Sequence, residues 1–118
     1  MSKSKDEIVK DWLPRYTGTQ LEDFGEYILL TNFSHYLTLF SEKFGIEIKG
    51  KNKAMPSVTH GNITLINFGM GSPNAASIMD LLTAIMPKAV LFLGKCGGLK
   101  PVSDLGAYIL PIAAIRGE

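Results

Sequence analysis

Phe33, Tyr36, Leu37, Phe40 and Phe44 recur three and four positions apart, with Ser34, Thr38, Glu42 and Lys43 between them. That spacing is one apolar face of a helix, and Gly45 ends it. A different pattern marks Tyr27-Ile28-Leu29-Leu30-Thr31, Ile63-Thr64-Leu65-Ile66-Asn67-Phe68 and Ala89-Val90-Leu91-Phe92-Leu93. These are short, nearly continuous apolar runs, the form taken by strands buried on both faces. Between the last two, a helix is expected over residues 73 to 86. Ser72 fits its N-cap, Pro73 its first turn, and Pro87 stops it. Residues 107 to 115 read as a further strand, with Pro111 marking an edge or a bulge. Residues 4 to 12 give a short helix with Ile8, Val9 and Trp12 on one face. Pro14, Gly18 and Gly25 then break a wrapping loop, and Lys49 to His60 is polar and turn-rich.

The order strand, glycine turn, helix, strand, glycine turn predicts a parallel, right-handed crossover unit built from residues 63–68, 73–86 and 89–93. Both turns, Gly69-Met70-Gly71-Ser72-Pro73-Asn74 and Gly94-Lys95-Cys96-Gly97-Gly98-Leu99, then lie at the carboxyl end of the sheet. Open α/β folds bind ligands at that end. We divide the chain into an N-terminal helix and wrapping segment, 1–25, and an α/β portion, 26–118. The helix over 73–86 has only a narrow polar stripe, Asn74, Ser77, Asp80 and Thr83. A helix so apolar needs cover on more than one side. A second subunit is the preferred source of that cover, with further parts of the same chain as the other. Three or four strands without a closing helix read as the first half of a larger domain.

Composition narrows the class. Among 118 residues, 12 basic and 11 acidic side chains leave a net charge of +1, which gives no electrostatic footprint for nucleic acid or an anionic membrane. Cys96 is the only cysteine, so neither an intrachain disulfide nor a cysteine metal cluster can form, and no metal or cofactor is expected. No apolar stretch approaches the ~20 residues that cross a bilayer, and the start carries no secretory signal. A cytoplasmic location is expected. Taken by its chemistry alone, Cys96 is expected to pack rather than act as a nucleophile, since no base stands near it in the sequence. Lys95 reads equally as a solvated loop lysine or a phosphate contact. Of the two histidines, His35 stands in the first substrate-facing turn, while His60 reads as a surface residue.

The glycine turns, with Leu105-Gly106 before a strand, resemble those of the purine nucleoside and uridine phosphorylase superfamily. The likeness extends to Asp11-Trp12-Leu13-Pro14-Arg15-Tyr16-Thr17-Gly18-Thr19 and to Glu26–Phe33, and within the superfamily it is strongest to the short-form bacterial AMP nucleosidases. The resemblance implies a three-layer αβα sandwich, present here as its N-terminal half. It implies a substrate site drawing on Gly69 and Met70, on Gly94, Lys95, Cys96, Gly97 and Gly98, and on His35. Lys53 resembles a basic residue that the family donates to a neighbouring subunit, which implies a homo-oligomer with shared active sites. The catalytic carboxylates of the family come from a second half that these residues do not contain. Two departures bear on the reaction. The phosphorylase turn with a phosphate-gripping arginine reads Thr31-Asn32-Phe33-Ser34-His35 here, and a second arginine position is Phe92. Inorganic phosphate as nucleophile needs guanidinium partners, and water does not. The resemblance thus implies hydrolysis of AMP to adenine and ribose 5-phosphate. Phosphorolysis of a nucleoside and non-catalytic nucleotide binding are the alternatives.

Overall fold

β1 (Tyr27–Thr31) sits inside the sheet because its side chains are apolar toward both faces. In the computed structural model, which describes residues 2–101 and 104–117, β1 pairs in parallel with β3 (Ile63–Asn67) and with β4 (Ala89–Phe92). The edge strand β2 (Ser57–His60) pairs antiparallel with β3, which gives the order β2-β3-β1-β4. Ile28 and Leu30 point to one face, where Val9, Leu13, Ile66, Ile78 and Leu81 complete the larger core. Leu29 joins Leu37, Val58 and Leu65 on the other. Helices α1 (Lys5–Thr17) and α3 (Ser72–Leu81) therefore cover the first face, and α2 (Ser34–Phe44) the second. The expected three-layer αβα architecture is the one observed.

Several expectations change. The first helix does not stop near residue 12 but runs through Pro14 to Thr17. Proline inside a helix costs about 3 kcal/mol or more, and the burial of Val9, Leu13 and Thr17 on one face offsets it. Gly18, at φ 75°, closes the helix in the left-handed region and donates its N–H to the Pro14 carbonyl. At the other end, Ser4 and Glu7 form a reciprocal capping box. The stretch from Lys49 to His60 is not all loop, since it contains β2. The two-residue turn Gly61-Asn62 joins His60 to Ile63 as a tight hairpin, with Gly61 at φ 58°.

The crossover unit is parallel, as expected, and it passes over one intervening strand. β3 and β4 run parallel to the same strand, but β1 lies between them. β1, far more buried than β4, takes the position where both edges are paired. α3 begins one residue before the expected start, with Gly71 rather than Ser72 as N-cap at φ 93°, and ends at Leu81. A short 3-10 turn over Leu82–Ala84 follows. α1 covers one side of α3, through the shared core and the Lys5–Asp80 ion pair at 3.1 Å, while Met79 of the same helix stays 48% exposed. Residues 107–115 join no ladder; residues 102 and 103, further upstream, lie outside the described residues. Leu105, Tyr108, Ile112 and Ile115 are fully exposed there. A strand requires a hydrogen-bonded neighbour, and none of the described residues supplies one. Among the described residues, no helix is long and apolar enough to cross a membrane.

Candidate functional site at the carboxyl end of the sheet

Because β1, β3 and β4 are parallel, the turns that follow them emerge at one end. There a cavity of about 420 Å³ opens between the sheet and the first turns of α3. Leu30, Val90 and Phe92 of the sheet, Phe68 beyond β3 and Met79 of α3 make it mainly apolar. The Phe68 and Phe92 rings meet edge to face at 5.8 Å between centroids. Asn32 and Ser72 are its polar lining residues. The Asn32 Oδ1 is buried without a hydrogen-bond partner, which marks it as the most costly polar atom of the site. A mainly apolar cleft with a few polar groups at the carboxyl ends of parallel strands suits a small organic ligand.

The glycine turn after β3 belongs to this opening through Gly71 and Ser72. Gly69, at φ 85°, donates its N–H to Asn67 Oδ1 at 3.1 Å, and Met70 is 78% exposed. Neither lines the cavity. The second glycine loop, Gly94 to Gly98, leaves β4 at the same end and is exposed throughout. Gly94 lies against the Phe92 ring, where a Cβ would come within 2.8 Å. Cys96 is exposed, contrary to the packed position expected for it, because the loop extends past β4 and none of the described elements lies over it.

Lys95 turns toward α2 instead of the cavity. Its Nζ lies 4.8 Å from the Phe33 ring centroid and 5.6 Å from that of Tyr36. His35 is exposed in the same first turn of α2. The structure thus brings Lys95 and the His35 turn together at the carboxyl end, with the cavity on the α3 side. Lys53 stands apart, exposed in the turn that leads toward β2, where its N–H donates to the Gly50 carbonyl. His60 is stacked on Phe44 at 4.0 Å at the opposite end of the sheet. That end also holds the Glu26–Lys88 ion pair, and hydrogen bonding to Lys88 is the main reason the Glu26 carboxyl lies below its ordinary value. Among the described residues, no three His, Cys, Asp or Glu side chains gather as a metal site. The lining residues Asn32, Phe68 and Met79 were not among the expected site residues. The signal for Asn32 was its place directly after a buried parallel strand.

Residues 26–118 match the model of the phosphorylase superfamily. The chain belongs to the phosphorylase superfamily. A crystal structure of AMP nucleosidase from Bacteroides thetaiotaomicron VPI-5482 superposes with a TM-score of 0.79 at 66% identity, over 82% of this chain and 42% of that one. AMP nucleosidase of Escherichia coli K12 is 27% identical across 90% of this chain and 30% of its own length, and that of E. coli O157:H7 gives the same values. The chain therefore spans about a third of the curated superfamily members it matches.

Proposed function

We propose that the protein hydrolyses the N-glycosidic bond of AMP, releasing adenine and ribose 5-phosphate. The observation that carries this reading is the 66% identity to the Bacteroides AMP nucleosidase on a common fold. Cleavage of such a bond passes through an oxocarbenium-like transition state. An enzyme must hold the sugar, protonate the departing purine and admit water at the anomeric carbon. The apolar cavity edged by Phe68 and Phe92 suits a flat purine. Lys95 supplies a cation for the 5′-phosphate at the same end of the sheet. In this reading Gly69, Met70 and the backbone from Gly94 to Gly98 line the approach, Cys96 included, and His35 faces it from α2.

The cavity lining contains no ionisable side chain. The carboxylates that hold the sugar and assist the purine are assigned to parts of the enzyme outside these residues. We also propose that the enzyme is a cytoplasmic homo-oligomer acting in purine salvage, with Lys53 reaching a neighbouring subunit's site. The exposure of Lys53, away from its own subunit's cavity, supports that arrangement.

Water as the nucleophile follows from Phe92, which presents a ring where an arginine would grip a phosphate dianion. The test is adenine release from AMP by the whole purified enzyme, with and without inorganic phosphate. Release at the same rate in both is expected. Strict dependence on phosphate would make the enzyme a phosphorylase, and AMP bound without turnover would make it a binding protein.

A further inference from the structure

We infer that Phe33 and Tyr36 form an aromatic seat that positions the Lys95 ammonium, and so set the preference for a phosphorylated substrate over the bare nucleoside. The inference rests on the proposed reaction for the identity of that substrate. Its structural basis is separate. Lys95 Nζ stands 4.8 Å from one ring centroid and 5.6 Å from the other, inside the ~6 Å reach of a cation–π contact. The two rings lean on each other at 5.4 Å and 60°, so each limits the other's movement. Tyr36 is anchored beneath by the core around Leu37, Val58 and Leu65.

The sequence gives up a local preference to place this seat. Phe33 occupies the N-cap of α2, a position that favours Ser, Thr, Asp or Asn, and it makes no side-chain capping bond. Such departures concentrate where a side chain serves a function. The placement of Lys95 is itself costly. The amino end of a helix carries partial positive charge, which disfavours a cation beside it. Lys95 joins no ion pair among the described residues that would compensate. The ring faces hold the ammonium there nonetheless. An anion bound at that point would meet both the ammonium and the partial positive charge at the amino end of α2. The lysine stem is flexible, so without the seat its charge would spread over many positions. Phe33 and Tyr36 are therefore positioning residues, acting on the substrate through Lys95.

A double-mutant cycle in the whole enzyme tests this. Wild type, Phe33→Leu, Phe33→Trp, Lys95→Ala and the Phe33→Leu/Lys95→Ala pair are compared on AMP, and on adenosine as substrate or inhibitor. Phe33→Leu is expected to lower kcat/KM for AMP about twofold to thirtyfold, chiefly through KM, the range a cation–π contact spans. Adenosine should be nearly unaffected, and Phe33→Trp should retain the preference for AMP. In the Lys95→Ala background, Phe33→Leu should cost nothing further. Additive losses, or equal losses on AMP and adenosine, overturn the seat while AMP hydrolysis stands. A wild-type enzyme that releases no adenine from AMP overturns the reaction and leaves the seat to a second measurement. In that measurement the ε-methylene protons of Lys95 are expected to show an upfield ring-current shift in the wild-type NMR spectrum, lost in Phe33→Leu. Unshifted wild-type resonances overturn the seat whatever the reaction.

Discussion

A single hydroxyl joins the end of α1 to the edge of the sheet. Ser57 is fully buried, its Oγ donates to the Thr17 carbonyl at 2.7 Å, and it shares a 2.6 Å hydrogen bond with Thr19 Oγ1. Ser57→Ala removes both contacts and leaves two buried oxygens without that partner. A loss of about 1–3 kcal/mol in unfolding free energy is expected. Urea denaturation of Ser57→Ala beside Thr38→Ala, which alters an exposed hydroxyl, measures it. Equal and negligible effects would show that the network does not hold the two elements together. None of this was legible in the sequence, where Ser57 stands in a polar stretch and its partners are 38 and 40 positions away. Lys95 shows the same limit. Its loop was placed correctly at the carboxyl end, but the direction of its side chain depends on Phe33 and Tyr36, which the helical pattern assigned only to an apolar face.

Among the elements, those with an unbroken pattern were the most legible. β1 has the expected bounds, and α2 ends at Gly45 as its periodicity required. α1 was cut short because Pro14 looks like a breaker, and only the buried face of Val9, Leu13 and Thr17 shows why it is tolerated. β2 was missed because Ser57-Val58-Thr59-His60 is short and has Val58 as its one apolar residue, although Gly61-Asn62 is a hairpin signal. The end of α1 also yields a test. A Cβ on Gly18 would lie 2.4 Å from the Gly50 backbone nitrogen, and one on Gly50 would lie 2.6 Å from the Thr17 carbonyl oxygen. Gly45 has a similar φ of 63° with nothing near. Gly45→Ala should cost roughly 1–2 kcal/mol for its left-handed backbone alone. Gly18→Ala should cost clearly more, since α1 and the Gly50 turn must also separate. Thermal or urea midpoints of the two variants decide it, and equal losses would deny the close approach.

For the whole molecule, the layered α/β architecture was legible because the period of the hydrophobic pattern switches between strand and helix. The order of the strands was not, since β3 and β4 follow each other in the chain while β1 separates them in the sheet. The cavity was legible as a location, at the carboxyl ends of parallel strands, but its lining depends on that order. Its lining residues include no acid or base, and the chain spans 42% of the crystal structure it resembles at 66% identity. The 118 residues alone are therefore expected not to turn AMP over, since general acid assistance contributes about 10²–10⁴-fold. Chromatographic assay of the purified chain, with longer enzyme excluded by mass spectrometry, checks this. Sustained adenine release would mean that the missing acid stands among these residues after all.

The central place of β1 also has a meaning in time. Translation delivers this strand before either neighbour, and it stays unpaired on both edges until Ile63–Asn67 and then Ala89–Phe92 leave the ribosome. At about 5–20 residues added per second, that interval is on the order of seconds. Throughout it, the nascent protein carries an open apolar edge, the kind of template on which chains aggregate. α1, already synthesised, is the first helix able to cover the face that Ile28 and Leu30 present during the wait. The N-terminal helix is thus placed to cover one face of β1 before the sheet is complete, while both its edges wait for β3 and β4.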